Sequence, residues 1–351
     1  MATDHGLPAL PDVMLAKAVD TIPEPDSVEG GLSYEPKWDG FRAVVAVGGG
    51  EVEIGSRGSK PLTRYFPELV RVFSDQLPVS CVLDGEIVVR TGDAGSEVLD
   101  WEALSQRIHP AESRIRQLSE ATPASFVAFD LLELDGEQYG SRPFSERRAA
   151  LEKLFGALRA PLHLSQVTRD VELARTWLQE FEGAGLDGVM AKPLSAAYAP
   201  GKRAMFKIKH HRTADVVVLG YRIHKSGSGV GSILLGLYDG DELLNVGGMS
   251  AFSNARRLEL VDELEPYVRR DENGAIVAAE TERSRFSGSK DLSFVPLEPS
   301  LVAEVRYDQL EGKRFRHSAQ FERWRPDRDA TSCTFSQLDT PSAYDLADVL
   351  A

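Results

Sequence analysis

Residues 34–42 read Tyr-Glu-Pro-Lys-Trp-Asp-Gly-Phe-Arg and contain the pattern Lys-x-Asp-Gly-x-Arg, from Lys37 to Arg42. A lysine among polar neighbours is most often a surface cation, and Lys-x-Asp-Gly alone is a common pattern. Residues 41–47 then place apolar side chains at every second position, and Gly48-Gly49-Gly50 follows them. Because that alternation is typical of a half-buried strand and the glycines of a turn, the stretch predicts a lysine beside a β-hairpin.

Further short patterns follow in a fixed order along the chain. They are Ser56-Arg-Gly58 with Arg57 at its centre, Asp84-Gly85-Glu86, Phe129-Asp130, Asp187-Gly-Val-Met-Ala-Lys192, Phe206-Lys-Ile-Lys209 and Arg325-Pro-Asp-Arg328. Each pattern is weak alone, so the information lies in their order and spacing.

Strand patterns alternate with a few helical patterns through the first 211 residues. Strands are predicted over residues 81–90, 125–134 and 187–192, and helices are predicted around 66–73, 145–154 and 173–181, with Ser145 as an N-cap. This order predicts an antiparallel-sheet-rich α+β domain. No glycine-rich phosphate loop opens a helix, which disfavours a Rossmann or P-loop site.

The pattern changes near Arg212. Residues 213–224, 232–238, 242–246, 301–307 and 321–325 are strand-like, and one helix, with Leu258, Val261, Leu264 and Val268 on one face, lies among them. Several strands with one helix suit a small β-barrel such as an OB-fold. We therefore predict two domains, residues 1–211 and residues 212–351.

Length and composition set further limits. The 351 residues carry a formal net charge of −14 and two cysteines, Cys81 and Cys333. Two distant cysteines supply neither a disulfide framework nor a cysteine-only zinc site. No apolar run is long enough to span a bilayer, and the first residues lack a signal pattern. We expect a cytoplasmic protein with no membrane partner.

Basic residues are concentrated in two runs of this acidic chain. Residues 192–225 hold eight Lys or Arg against one acid, and residues 306–328 hold seven against four. A single charge run is usually a solvated face, but two of them raise the expectation of a polyanion site.

The ordered series from Lys37 to Arg328 resembles that of the covalent nucleotidyltransferases, which include ATP-dependent DNA ligases, RNA ligases and mRNA-capping enzymes. The resemblance spans nearly the whole chain. The length, and the lack of an extra N-terminal DNA-binding domain, make the chain most similar to the short bacterial C-type DNA ligases. The resemblance implies an adenylation domain followed by an OB-fold domain.

The resemblance implies that Lys37 attacks the α-phosphate of ATP and carries AMP covalently. Its amine must lose a proton first, and neighbouring cations favour the unprotonated amine. Lys207 and Lys209 alternate along one strand and therefore share a face. In the family the matching lysines contact the α-phosphate, so these two would both neutralise the phosphate and activate Lys37.

The other nucleotide contacts are also carried over from the family. Glu35 lies two residues before Lys37, on the same face of an extended segment, and would accept a hydrogen bond from the adenine amino group. Arg42 and Arg57 would contact ribose and phosphate. Phe129 would stack on the purine, although a core aromatic is an equal alternative.

Magnesium, with manganese as an alternative, is the expected metal. Glu86 is the first candidate ligand because a carboxylate in a half-buried strand is otherwise costly. Asp187 is the second, but the family usually has glutamate there, so a water-bridged contact is expected. Lys192 closes the same pattern and would reach the nucleotide, while Asp39 remains a lesser member of the site.

Arg325 and Arg328 fall in the second domain. In the family this last pattern swings onto ATP and orients the pyrophosphate. Such closure is a hinge motion, and residues 209–213 are the predicted hinge.

The predicted function is ATP-dependent sealing of 3′-hydroxyl/5′-phosphate nicks in duplex DNA, in DNA repair, by a monomer. The first alternative is an RNA ligase or a capping-type guanylyltransferase. The second is a catalytically silent nucleic-acid-binding protein. An NAD-dependent ligase is disfavoured because two cysteines cannot supply the four-cysteine zinc finger expected there.

Overall fold

The computed structural model describes residues 6–210, 212–277, 279–280, 293–308, 310–338 and 344–350. The chain divides into two compact units, Met1–His210 together with Pro341–Ala351, and His211–Thr340. The predicted boundary, between residues 211 and 212, lies one residue after the observed boundary between residues 210 and 211. The described C-terminal residues, 344–350, group with the first unit, whereas residues 212–351 were predicted to form the second domain.

The first unit is built mostly from strands. Its strands are β1 (Leu15–Ala18), β2 (Leu32–Lys37), β3 (Phe41–Gly48), β4 (Glu51–Ser56), β5 (Cys81–Thr91), β6 (Val98–Leu99), β7 (Ala124–Leu134), β8 (Glu137–Gln138), β9 (Leu162–Leu164), β10 (Gly188–Pro193) and β11 (Arg203–Lys209). Its helices before the second unit are α1 (Pro67–Gln76), α2 (Trp101–Gln106), α3 (Glu112–Ala121), α4 (Phe144–Phe155) and α5 (Val171–Glu180).

These strands form two sheets. One has four strands in the order β1-β11-β10-β2, and the other runs β4-β3-β5-β7-β8 with β6 on β5 and β9 on β7. Within them β1–β11 and β7–β9 are parallel, and the other pairs are antiparallel. Buried side chains of both sheets share a core, in which Tyr34 and Val189 of the first meet Val127 of the second. The predicted α+β domain is confirmed.

The described residues of the second unit form an 11-residue helix and a curled sheet. Its strands are β12 (Arg212–Ile223), β13 (Val230–Asp239), β14 (Glu242–Met249), β15 (Ala279–Glu280), β16 (Ser293–Pro296), β17 (Val302–Tyr307), β18 (Leu310–Glu311), β19 (Arg314–Phe315) and β20 (Gln320–Trp324), and its helix is α6 (Asn254–Leu264). The first half of β12 pairs with β17 and the second half with β13, across an irregularity at Val218/Gly220. A sheet curled in this way fits the predicted OB-fold.

Two local predictions were wrong. Helix α4 begins at Phe144 after Pro143, so Ser145 lies inside the helix and does not cap it. On α6, which Ser253 caps, Leu260 and Leu264 are buried, whereas Leu258, predicted on the same face as Leu264, is exposed.

A short C-terminal segment packs on the first unit. Helix α7 (Leu346–Val349) buries Leu346 and Val349 in the same core as Trp177 of α5. The Leu346 amide donates to the Glu97 carbonyl at 2.9 Å. In the described part of the chain, no helix has the length and apolarity that crossing a bilayer requires.

Candidate active site

The register of three strands gathers the predicted lysines. Lys37, the last residue of β2, lies opposite Gly188 of β10, which in turn lies opposite Lys209 of β11. Two residues away, Met190 lies between Glu35 and Lys207 in the same way. Since side chains two residues apart point to the same side of a strand, all four charged side chains share one face of this sheet.

Asp187 joins two of these lysines. Its Oδ2 accepts a short hydrogen bond from Lys37 Nζ and lies 3.0 Å from Lys209 Nζ. Burial alone raises the pKa of Asp187, but the charges of Lys37 and Lys209 outweigh it and leave the pKa lowered. The carboxylate therefore stays ionised, and it bridges the two amines.

Lys207 lies in a more crowded cationic environment. Burial lowers its pKa, and the charges of Lys37, Lys209 and Arg57 lower it further. Three sequence-predicted cations therefore act on one site, as expected for a region that receives phosphate.

Glu86 lies on β5, where its Oε1 accepts from the Gly40 amide at 3.2 Å. Burial raises its pKa to about 7, although the charges of Arg42 and Lys37 oppose that rise. A bound cation would stabilise the ionised form of this half-buried carboxylate and lower its pKa.

The glycines of these patterns have a steric role. A Cβ on Gly40 would lie 2.2 Å from the Ile87 carbonyl oxygen. At Gly188, where φ is +135°, it would lie 2.0 Å from the Ile208 carbonyl oxygen. The chain at Gly40 and Gly188 therefore packs directly against the backbone of β5 and β11, and a side chain at either position would force that backbone to move.

Arg42 is held by a buried aspartate. Its Nε and Nη2 donate to the two carboxylate oxygens of Asp84, both at 2.6 Å, and Tyr198 Oη donates to Asp84 Oδ2 at 2.6 Å. Sequence reasoning missed Asp84 and Tyr198 as parts of the site. A signal existed for Asp84, since a carboxylate flanked by Leu83 inside an apolar strand requires a cationic partner.

The ring of Phe129, on β7, lies close to two cationic side chains. Its ring centroid is 4.7 Å from the Arg42 guanidinium carbon and 4.5 Å from Lys192 Nζ. Lys192 is buried, and its Nζ lies 2.5 Å from Glu35 Oε1. The predicted purine contacts, Glu35 and Phe129, are therefore linked through Lys192.

Arg325 and Arg328 lie in the second unit. Arg325 Nη1 donates to both carboxylate oxygens of Asp215 at 2.9 and 3.1 Å, and Arg328 Nε lies 3.5 Å from Asp215 Oδ2. Arg325 also donates to Asp327. The structure thus gathers the last pattern around one aspartate within this unit.

Glu86 and Asp187 are the two predicted metal ligands. No group of three metal-binding side chains occurs among the residues that the structure describes. The Asp187 carboxylate already contacts two ammonium groups, so Glu86 and Asp187 are not both available as metal ligands. Because Mg²⁺ binds through one or two carboxylates together with waters and substrate phosphates, Glu86 fits as a single protein ligand.

The basic runs do not form continuous charged faces. In the first run Lys192 is buried, and in the second run Arg306 pairs with Glu322 and Arg323 with Glu304. The exposed cations left over in the first run include Lys202 and Arg203.

Comparison with known families covers most of the chain. Residues 13–209 match the ATP dependent DNA ligase domain, and residues 226–328 match the ATP dependent DNA ligase C terminal region. DNA ligase C2 of Mycolicibacterium smegmatis is 54% identical over 95% of this chain and 96% of its own. DNA ligase C of Mycobacterium tuberculosis is 53% identical over 98% of both chains.

Solved structures agree with this fold. The chain is similar, with a TM-score of 0.57 and 16% identity, to a structure from a study of Lig E DNA ligases, covering 90% of this chain and 100% of that one. At that identity the likeness shows the fold alone. The two family matches and the mycobacterial relatives go further, and by them this chain belongs to the ATP-dependent DNA ligase family.

Proposed function

We propose that this chain is a DNA ligase that seals 3′-hydroxyl/5′-phosphate nicks in duplex DNA, with Lys37 as the residue that carries AMP. The observation that carries the proposal is the single sheet face on which Lys37, Lys207 and Lys209 meet beside Asp187. Three amines around one point suit a reaction in which one attacks phosphorus while the others hold phosphate oxygens.

The reaction has three steps. Lys37 Nζ, after losing its ammonium proton, bonds to the α-phosphorus of ATP while the bond to the β-phosphate breaks and pyrophosphate leaves. A 5′-phosphate oxygen of the nick then attacks the adenylate phosphorus and releases the Lys37 amine. Finally the 3′-hydroxyl attacks the 5′-phosphorus, loses its proton and displaces AMP.

Each residue of the site has a proposed role. The ion pair between Lys37 and Asp187 would hold the amine at the edge of the sheet until the nucleotide binds. Lys207 and Lys209 would contact the α-phosphate, and Arg57 would contact phosphate or ribose. Arg42 would also contact phosphate or ribose. Its ion pair with Asp84 would hold the guanidinium in one orientation, which suits bidentate contacts.

The base would lie against Phe129, with its amino group directed at Glu35. Arg325 and Arg328 would orient the pyrophosphate from the second unit, which requires them to leave Asp215. A divalent cation at Glu86, magnesium or manganese, would shield phosphate charge. A monomeric state, a cytoplasmic location and a role in repair stay predictions.

The test combines labelling and sealing. The protein is incubated with radiolabelled ATP or GTP and Mg²⁺, and then with a nicked DNA duplex that carries a 5′-phosphate, with an unphosphorylated nick as control. We expect a covalent adduct from ATP and a sealed strand from the phosphorylated nick alone. Labelling by GTP only, or an adduct that never seals DNA, would overturn the proposal and favour a capping enzyme or an RNA ligase.

A further inference from the structure

Glu35 is a buried carboxylate, and its two oxygens differ in their contacts. It is 3% exposed, its Oε1 contacts Lys192, and its Oε2 has no hydrogen-bond partner in the structure. A buried oxygen without a donor is costly unless something supplies one. Oε2 is therefore the atom that a bound ligand would satisfy.

Lys192 is held on all sides by the first unit. It is 3% exposed, its Nζ donates to the Phe129 carbonyl at 3.3 Å, and the Phe129 and Phe144 ring centroids lie 4.5 and 4.9 Å from Nζ. Two aromatic faces and two acceptors leave the ammonium little freedom. Its position therefore determines which way Glu35 points.

The strand register places the pair together. On the paired strands β2 and β10, Lys192 lies opposite Ser33 and Glu35 lies opposite Met190, so the two side chains lie diagonally on one face. The same face carries Lys37, two residues beyond Glu35. The pair is thus part of the reactive face and does not belong to a distant structural core.

The charge of Lys192 also decides what Glu35 can do. Burial raises the pKa of Glu35 above its ordinary value, the charges of Lys192 and Arg148 offset only part of that rise, and the charge of Asp130 adds to it. An ionised carboxylate only accepts hydrogen bonds, whereas a protonated one also donates. Without the ammonium, burial would favour a carboxylic acid able to donate to a carbonyl oxygen.

We propose that Lys192 is a positioning residue for base selection: it holds Glu35 as an ionised acceptor whose Oε2 selects a 6-amino purine nucleotide over a 6-oxo one. This role rests on the proposed function, in which Glu35 meets the base. A 6-amino group donates to Oε2, whereas a 6-oxo group would face a carboxylate oxygen with no proton between them.

The test compares ATP with inosine triphosphate, which carries oxygen in place of the 6-amino group. We would measure kcat/KM for covalent nucleotide transfer to the protein with each, in wild type, Lys192→Met, Glu35→Gln and the double variant. Methionine keeps an unbranched side chain of similar length, one atom shorter than lysine, and removes the ammonium. Lys153→Met makes the same change at an exposed lysine of α4 and is the matched control.

We expect the ATP preference of wild type to fall by about tenfold or more in Lys192→Met, the size typical of a hydrogen bond to a charged group. The control should keep the wild-type ratio. In the Glu35→Gln background, Lys192→Met should change the ratio no further, because Lys192 acts through Glu35. The double variant carries no buried charge at either position and therefore serves if the single variant does not fold.

Two results would overturn the inference while leaving the proposed function intact. One is an unchanged ratio in Lys192→Met, and the other is an equal further loss in the double variant, which would mean that Lys192 contacts the base directly. Failure of wild type to form any adduct would instead count against the proposed function.

Discussion

Asp187 carries a charge that two lysines share. Lys37 and Lys209 both contact its Oδ2, so the charge of Lys37, the proposed nucleophile, is balanced by a carboxylate. A triphosphate brings more negative charge than one carboxylate and would compete for both lysines. The side chain of aspartate is shorter than that of the glutamate usual in the family, and for that reason the sequence did not decide whether Asp187 binds metal directly. In the structure Asp187 holds two amines.

Glu86 gives a pH prediction at the same scale. Its pKa is about 7 in the folded chain, against an ordinary 4.5, because of burial. Between those values the folded chain keeps a proton that the unfolded chain has released, so this residue makes the free energy of unfolding fall as pH rises from about 4.5 to about 7.

Glu86→Gln should therefore stabilise the metal-free protein above pH 7, by at most about 3 kcal/mol, and have little effect near pH 4.5. Glutamine still offers an acceptor to the Gly40 amide. Denaturant unfolding in chelator at several pH values measures this, with Glu120→Gln at an exposed glutamate as the control. A variant that is destabilised equally at both ends of the range would contradict the raised pKa.

At the scale of elements, β10 is the strand that assembles the site. It pairs with β2 on one side and β11 on the other, and so brings Lys37 and Lys209 to opposite sides of Gly188. Gly188 allows this because its φ is +135° and no Cβ is present to meet the Ile208 carbonyl.

Gly188→Ala should therefore separate β10 from β11 and lower the free energy of unfolding by more than 3 kcal/mol, within the range of severe backbone substitutions. Gly50→Ala is the matched control, since its φ of +78° is also unfavourable but nothing lies within 4 Å of its added Cβ. That change should lower the free energy of unfolding by about 1 kcal/mol. Equal losses in both variants would show that the close contact at Gly188 has no effect.

Several elements follow from the sequence because their periodicity is local. The alternation in residues 41–47 and the three glycines after it correctly predicted a hairpin, which β3 and β4 form. The partners of buried charges could not be predicted in this way, because Arg42–Asp84 and Glu35–Lys192 depend on which strands pair. The basic run that ends at Lys225 was misleading for the same reason, since sequence spacing does not reveal that Lys192 points inward.

At the scale of the whole molecule, the C-terminal segment, residues 344–350, completes the core of the first unit. Leu346 is 0% exposed and lies among residues of α5 and β10, so residues 344–350 are part of the first unit although the second unit precedes them in the chain. The first unit is therefore assembled from two separate parts of the sequence. Sequence periodicity could not predict this, because α7 is only four residues long.

Leu346→Ala should lower the stability of the first unit by about 2 to 4 kcal/mol, as expected for a large-to-small change in a core. The loss is limited by the free energy with which the segment docks. Leu258→Ala, at a side chain that is 57% exposed, is the control and should change stability by less than about 0.5 kcal/mol. Calorimetry of both variants measures this, and an unchanged melting temperature for Leu346→Ala would show that the segment does not contribute to the core.

The most direct measurement of the central claim is the intact mass of the protein after incubation with ATP and Mg²⁺. The wild-type chain and the Lys153→Ala control should both gain the mass of one AMP, and Lys37→Ala should gain none while keeping the wild-type melting temperature to within a few degrees. An AMP adduct on a folded Lys37→Ala protein would contradict the assignment of Lys37 as the nucleophile.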